Sequence, residues 1–250
     1  MKRPLLVANW KMHKDQAECR AFVRGLLEAG GVGECAVVLC PPFTALEATG
    51  RALVGTGLTL GAQDVHWEEQ GAFTGEISVP MLKACGCEYV IVGHSERRRI
   101  MGETDGMVQL KFKAAWAGTL TPILCVGETR EERQQGNTRQ VVGKQLELAL
   151  AGSRRDAVPP AIVAYEPVWA IGSGVAATAA EAGEMARFIG DELRRRGSPS
   201  NQRILYGGSV HPQNIGEFMA QPGIDGALVG GASLDPHVFA ALAAAAGRCR

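Results

Sequence analysis

Apolar residues come in short unbroken runs along this chain rather than in alternation. The runs are Leu5–Asn9, Ala36–Cys40, Leu58–Ala62, Tyr89–Val92, Pro122–Val126, Ile162–Tyr165, Ile204–Tyr206 and Ala227–Val229. An alternating run marks a strand with one wet face, whereas an unbroken run fits a strand buried on both faces, as in a parallel sheet. Between the runs the pattern changes to helical spacing, most clearly over Ala17–Glu28, Gly106–Ala117, Asn137–Leu150 and Thr178–Arg196. Thr178 suits an N-cap, because Glu181 three residues on completes a capping box. Pro236 opens an alanine-rich last helix near its first turn, where a missing N–H costs little. Strands recur every 25–40 residues or so, the period of a βα unit, and about eight units fit. The expectation is one domain over residues 1–250, an α/β fold closed as a (β/α)8 barrel, with an open doubly wound sheet as the alternative.

Composition narrows the function classes. The chain has 250 residues, 46% hydrophobic and 21% charged, and Lys+Arg and Asp+Glu both count 26. Zero net charge offers no electrostatic case for nucleic acid or an anionic membrane. The arginine clusters Arg97–Arg99, Arg154–Arg155 and Arg194–Arg196 are local, and the last closes a helix, where cations suit the dipole. No apolar stretch of about eighteen residues predicts a membrane span, and the start, MKRPLLVANWKMHK, lacks the apolar region of a signal peptide. Seven cysteines, without C-x-x-C spacing and mostly in or beside apolar runs, read as small hydrophobes in a reduced, cytoplasmic compartment. No metal site is expected.

A barrel of this kind places its chemistry just after the strand ends. Those positions read Asn9-Trp10-Lys11, Gly93-His94-Ser95, Gly127-Glu128, Glu166, Gly207-Gly208-Ser209 and Gly230-Gly231. Gly172 to Ala177, GSGVAA, fits a loose dinucleotide fingerprint, but six residues separate it from the end of its strand, where a fingerprint begins directly. Glu166, followed by Pro167 and the apolar Val168-Trp169-Ala170-Ile171, reads better as a base beside a closing lid, with Gly172 and Gly174 supplying adaptable backbone.

Seven segments are similar to the triosephosphate isomerase family in the family's own order. They are ANWKMH (8–13), the stretch 63–78 with GAFTGE, VGHSERR (92–98), ILCVGET (123–129), YEPVWAIG (165–172), YGGSV (206–210) and LVGGASL (228–234). The resemblance covers nearly the whole chain. It implies a TIM barrel, isomerisation of dihydroxyacetone phosphate and glyceraldehyde 3-phosphate in the cytoplasm, and no cofactor. It implies Glu166 as the proton-shuttling base, its basicity raised by burial under the lid. His94, at a helix N-terminus that disfavours its cation, is the implied electrophile, and Lys11 the implied electrostatic stabiliser, paired with Glu96. Asn9, Lys11, Gly172, Ser209, Gly230 and Gly231 are the implied substrate-binding residues, glycine letting backbone N–H groups approach a phosphate. Tyr206 and Ser209 resemble residues that hold the closed lid, and Cys125 one packed near the base. The loop 63–76 is implied to plug into a second copy of the chain, with Thr74 reaching the other active site and Glu76 pairing with Arg97 across the interface.

The chain departs from the family at Ser173, Val175 and Ala176 in the second half of the lid, and at Asp64 and Met101. The first group puts the opening rate in question, not the reaction. Two other readings stay open at this level. Lys11 is a conceivable Schiff-base nucleophile in an aldolase, although pairing with Glu96 favours its charged form. A protein that binds the ligand without turnover is the other.

Overall fold

Eight strands pair in sequence order, every pair parallel, and the last returns to the first. They are β1 (Leu5–Asn9), β2 (Ala36–Cys40), β3 (Thr59–Ala62), β4 (Tyr89–Val92), β5 (Thr121–Val126), β6 (Ile162–Tyr165), β7 (Arg203–Tyr206) and β8 (Gly226–Val229). The computed structural model describes residues 2–151, 162–171, 177–198 and 201–249. Closure excludes the open doubly wound alternative.

Ten helices are described. They are α1 (Gln16–Glu28), α2 (Leu46–Leu53), α3 (Val79–Ala84), α4 (Ser95–Ile100), α5 (Asp105–Ala117), α6 (Arg130–Gln134), α7 (Thr138–Leu150), α8 (Ala179–Arg195), α9 (Ile215–Met219) and α10 (Pro236–Gly247). The capping box expected at Thr178 is present, and Asp15 with Glu18 and Thr129 with Glu132 form two more. The short helices α2, α3, α6 and α9 have too few turns to show a period. Strand and helix ends differ from the sequence reading by a residue, since Thr121 joins β5 ahead of Pro122 and Thr178 caps α8 from outside it.

The unbroken apolar runs follow from two cores. Within each strand, side chains alternate between the barrel interior and the helix layer. Leu5, Val7, Val38, Cys40, Ile91, Ile123, Cys125, Ala164, Leu205 and Leu228 fill the interior. Leu6, Ala8, Val37, Leu39, Val90, Leu124 and Val163 face outward onto Phe22, Leu26, Phe112, Leu146, Ile189 and Phe239 of the helices. With both faces dry there is no reason for polar residues to alternate. These side chains fill the interior, and a cavity opens at the strand ends.

Candidate active site

Glu166 directly follows β6, and its amide donates to the carbonyl of Val126 on β5 at 2.8 Å. Its side chain turns into the barrel mouth and is 2% exposed. Oε2 accepts the backbone N–H of Ser95 at 2.9 Å, and Oε1 lies 3.0 Å from Nε2 of His94. Ser95 is the first residue of α4, so its N–H has no partner within the helix and is free to serve the carboxylate.

His94 is the N-cap of α4, reached through Gly93, whose φ of 71° makes the turn from β4. Its Nδ1 accepts the N–H of Glu96 at 3.2 Å. An accepting Nδ1 leaves the proton of the neutral ring on Nε2, the nitrogen that faces Glu166.

The charges here correct two expectations, a raised Glu166 carboxyl and a His94 whose cation is disfavoured. Burial pushes the Glu166 carboxyl up, but His94, the Ser95 amide and Lys11 outweigh it and hold the group below the usual carboxylate range. Burial likewise pushes His94 down, and facing Glu166 brings it above its ordinary value. The desolvation read from the sequence is therefore present, and the neighbours overcome it. Two influences oppose each other at His94, the capping bond selecting the tautomer and the carboxylate favouring the cation.

Lys11 lies two residues beyond β1 with a left-handed φ of 52°. Such a backbone persists in a non-glycine residue only where the surroundings fix it. Here Asn9 Oδ1 accepts the Lys11 N–H at 3.0 Å and Gln63 Nε2 donates to the Lys11 carbonyl at 2.8 Å. The ammonium meets Glu96 Oε1 at 2.6 Å, the pairing the resemblance implies. A Cβ on Gly230 would sit 3.5 Å from Lys11 Cε, which puts the loop after β8 against the lysine stem. Gly230 caps a 3-10 turn, Gly231–Ser233, whose carbonyl at Ser233 accepts from Trp10 Nε1 at 3.0 Å. Ser209, after β7, donates from Oγ to the carbonyl of Ala170 at 3.2 Å, which joins it to the 3-10 turn Val168–Ala170 behind Glu166.

One cavity of about 530 Å³ gathers Asn9, Lys11, His94, Glu166, Ser209, Gly230 and Gly231. Gly172, Ser173, Gly174, Val175 and Ala176 lie outside the described residues, as do Arg154 and Arg155. The same cavity is lined by Ile171, read from the sequence as part of the apolar stretch after Glu166, and by Arg99 and Leu228, which had no part in the site as read from the sequence. Arg99 has no signal of its own inside an arginine run. Glu128 was visible only as a polar strand end. It is fully buried, accepting from Tyr165 Oη at 3.1 Å and from Trp169 Nε1 at 2.9 Å. Burial pushes the Cys125 thiol well up, so it is a packed neutral neighbour of Glu166 and no nucleophile. Among the described residues no group of three or more His, Cys, Asp or Glu has the arrangement to hold a metal ion.

The loop 63–76 is braced from inside. His66 stacks on Trp67 at 4.2 Å and packs against Phe73 at 4.4 Å. Arg97, implied to pair across an interface, pairs within the chain with Asp64 at 2.9 Å and with Glu103. Lys111 joins the same two carboxylates, reaching Asp64 at 2.7 Å, so the Asp64 departure is absorbed by a buried cation.

Fold and site together define a barrel enzyme of the acid–base type, with a carboxylate, an imidazole and an ammonium converging at the C-terminal mouth. The family model for triosephosphate isomerase matches residues 4–246. The triosephosphate isomerase of Moorella thermoacetica is 52% identical over 244 residues, covering 97% of this chain and 98% of that protein. That of Roseiflexus castenholzii is also 52% identical, covering 96% of each. The crystal structure of triosephosphate isomerase from Bartonella henselae superposes with a TM-score of 0.87 at 36% identity, covering 98% of this chain and 99% of that one. The chain belongs to the triosephosphate isomerase family.

Proposed function

We propose that this enzyme interconverts dihydroxyacetone phosphate and D-glyceraldehyde 3-phosphate in glycolysis and gluconeogenesis, with Glu166 as the base, His94 as the electrophile and Lys11 as the electrostatic stabiliser. The reaction takes a proton from the carbon beside a carbonyl and returns it to the neighbouring carbon. One carboxylate reaches both carbons if it is anchored by one oxygen and free at the other. The observation that carries the reading is that division of labour at Glu166, with Oε2 on the Ser95 amide and Oε1 toward His94 Nε2. Substrate bound between carboxylate and imidazole parts this direct contact. The depressed Glu166 then loses its strongest neighbour, and burial brings its basicity up when a base is needed.

The enediolate that forms bears negative charge on oxygen, and preplaced donors stabilise it without reorganising. Nε2–H of His94 and the ammonium of Lys11 fill that role. Asn9 sets the Lys11 backbone. Ser209, Gly230 and Gly231 hold the phosphate through N–H groups, and Gly172 joins them on the resemblance alone. The segment after Ile171 closes as a lid, keeping water out and limiting loss of phosphate from the enediolate. The Lys11–Glu96 pair at 2.6 Å keeps the amine charged, which weighs against a Schiff base. Two copies of the chain assemble through the loop 63–76, where Met12, Phe43 and Met101 are exposed apolar side chains around one groove with Gln63 and Asp64. The compartment is the cytoplasm, in keeping with seven free cysteines, and no described helix is long and apolar enough to cross a membrane.

A coupled assay of glyceraldehyde 3-phosphate turnover, wild type beside Glu166→Asp, tests this. Retreat of the carboxylate by about 1 Å should lower kcat on the order of a hundredfold with KM little changed. Equal turnover by both proteins would rule out Glu166 as the base. Wild-type protein that binds 2-phosphoglycolate without turnover would leave a binding protein in its place.

A further inference from the structure

Lys14 joins the loop after β1 to the loop after β8. Its backbone is left-handed, with a φ of 72°, as is that of Lys11 in the same connection. Two such residues in one short loop mark a shape that its contacts impose. The Lys14 ammonium donates to the carbonyl of Leu234 at 2.7 Å, and Leu234 closes the 3-10 turn Gly231–Ser233. It also stands 5.5 Å from the centroid of the Trp10 ring and 5.0 Å from that of Phe22, two rings that meet edge to face at 4.8 Å. Trp10 is fully buried, and its Nε1 donates to the preceding carbonyl, Ser233, at 3.0 Å. Two successive carbonyls at the end of the turn are therefore held by an ammonium and an indole from the neighbouring strand's loop. At the other end, the Ser233 hydroxyl lies 2.6 Å from the Gly230 carbonyl oxygen, which ties the turn to its own start.

We infer that Lys14 is a positioning residue for the phosphate end of the substrate, holding the Leu234 carbonyl so that the N–H groups of Gly230 and Gly231 keep their aim into the cavity. This rests on the isomerase reading above, which gives those N–H groups to the phosphate. Lys14 is not among the described residues that line the cavity, so it acts through the turn and touches no substrate. The turn has two internal bonds, Ser233 N–H to the Gly230 carbonyl at 2.8 Å and Leu234 N–H to the Gly231 carbonyl at 3.1 Å. So short a turn has little stiffness of its own, and outside ties decide its tilt. A bond from an ammonium is stronger than one from a neutral donor, and the two rings beneath favour the cation where it stands. Without it the Trp10 bond is left as a single pivot, the turn rocks, and binding phosphate then has to order the N–H groups first. The chemistry is held separately. Glu166 and His94 meet each other and the start of α4, while Lys11 is set by Asn9, Gln63 and Glu96.

The test measures kcat and KM for glyceraldehyde 3-phosphate, and Ki for inorganic phosphate as a competitor, in wild type, Lys14→Met, Lys14→Arg and Trp10→Phe. KM and Ki do not depend on how much of a variant is folded. Methionine keeps a stem over the rings and meets the same left-handed backbone, so Lys14→Met removes the ammonium alone. KM and Ki should rise together by about fivefold to tenfold with kcat within about twofold, the scale of one charge-assisted bond and the signature of lost ground-state binding. Lys14→Arg keeps a cationic donor over the same rings and should restore most of the affinity. Trp10→Phe takes the donor from the neighbouring carbonyl and should move KM and Ki in the same direction. Unchanged KM and Ki in Lys14→Met, even with a lower Tm, would overturn the inference and leave the isomerase reading intact. So would a rise in KM that Ki for phosphate does not follow. Wild-type protein that does not isomerise, or in which phosphate does not compete with substrate, would remove the reading beneath it.

Discussion

A Cβ added to Gly127 would stand 1.7 Å from the carbonyl oxygen of Glu166. Gly127 ends the β5 side of the pair that holds Glu166, so the base is seated against bare backbone. No rotamer relieves a clash between a Cβ and a carbonyl. Gly127→Ala should push the residue after β6 outward, cost about 3 kcal/mol in urea unfolding, and depress kcat in whatever folds. A variant with wild-type kcat and stability would mean that the strand ends are freer to part than this contact implies.

His94→Gln keeps a donor of similar reach but no ring to be fixed by the Glu96 amide. Loss of one preorganised donor to the developing oxyanion costs about 10²–10³ in kcat. The expected signature is that loss in kcat with unaltered binding of a ground-state analogue. If KM rises and kcat holds, His94 contributes binding and no transition-state stabilisation.

Glu103 offers a pH test away from the chemistry. Burial pushes its carboxyl up, while Lys111 and Arg97 outweigh that and hold it below the ordinary range. A carboxyl depressed in the folded state stabilises at pH above its unfolded value of about 4.3, and the contribution disappears as pH falls through the folded value. Glu103→Gln should therefore lower Tm at pH 7, with the gap to wild type closing below about pH 4. Asp64 acts in the opposite sense, since burial raises its carboxyl despite the same cations. A gap that stays constant between pH 7 and the acid limit would show that the ionised carboxylate contributes nothing beyond its packing.

Thr74 is exposed at the tip of the loop proposed to enter a second subunit. Thr74→Arg adds bulk and charge there without touching this chain's core. Sedimentation velocity should give a dimer for the wild type and a concentration-dependent monomer for the variant, with specific activity falling on dilution. A monomeric wild type of full activity would end the dimer proposal.

Much of this protein was legible in one dimension. Unbroken apolar runs at βα spacing gave the strands to within a residue, because a strand dry on both faces cannot hide its composition. Capping residues such as Thr178 and Glu181 marked a helix start, because a cap is satisfied locally. The residues at strand ends marked the site, since a closed barrel brings the ends of all its strands to one mouth. What the sequence could not hold was the balance of forces among residues distant along the chain. It suggested burial at Glu166 and hence a raised carboxyl, yet the direction of that shift was decided by His94 and the Ser95 amide, some seventy residues away. Lys14 was one charge ahead of a helix until folding set it over Trp10 and on the Leu234 carbonyl. Local spacing determines helices, strands and caps because their hydrogen bonds close within a few residues. Charge shifts and anchoring depend on distances of about 3 Å between separate elements, and only the closed barrel sets those.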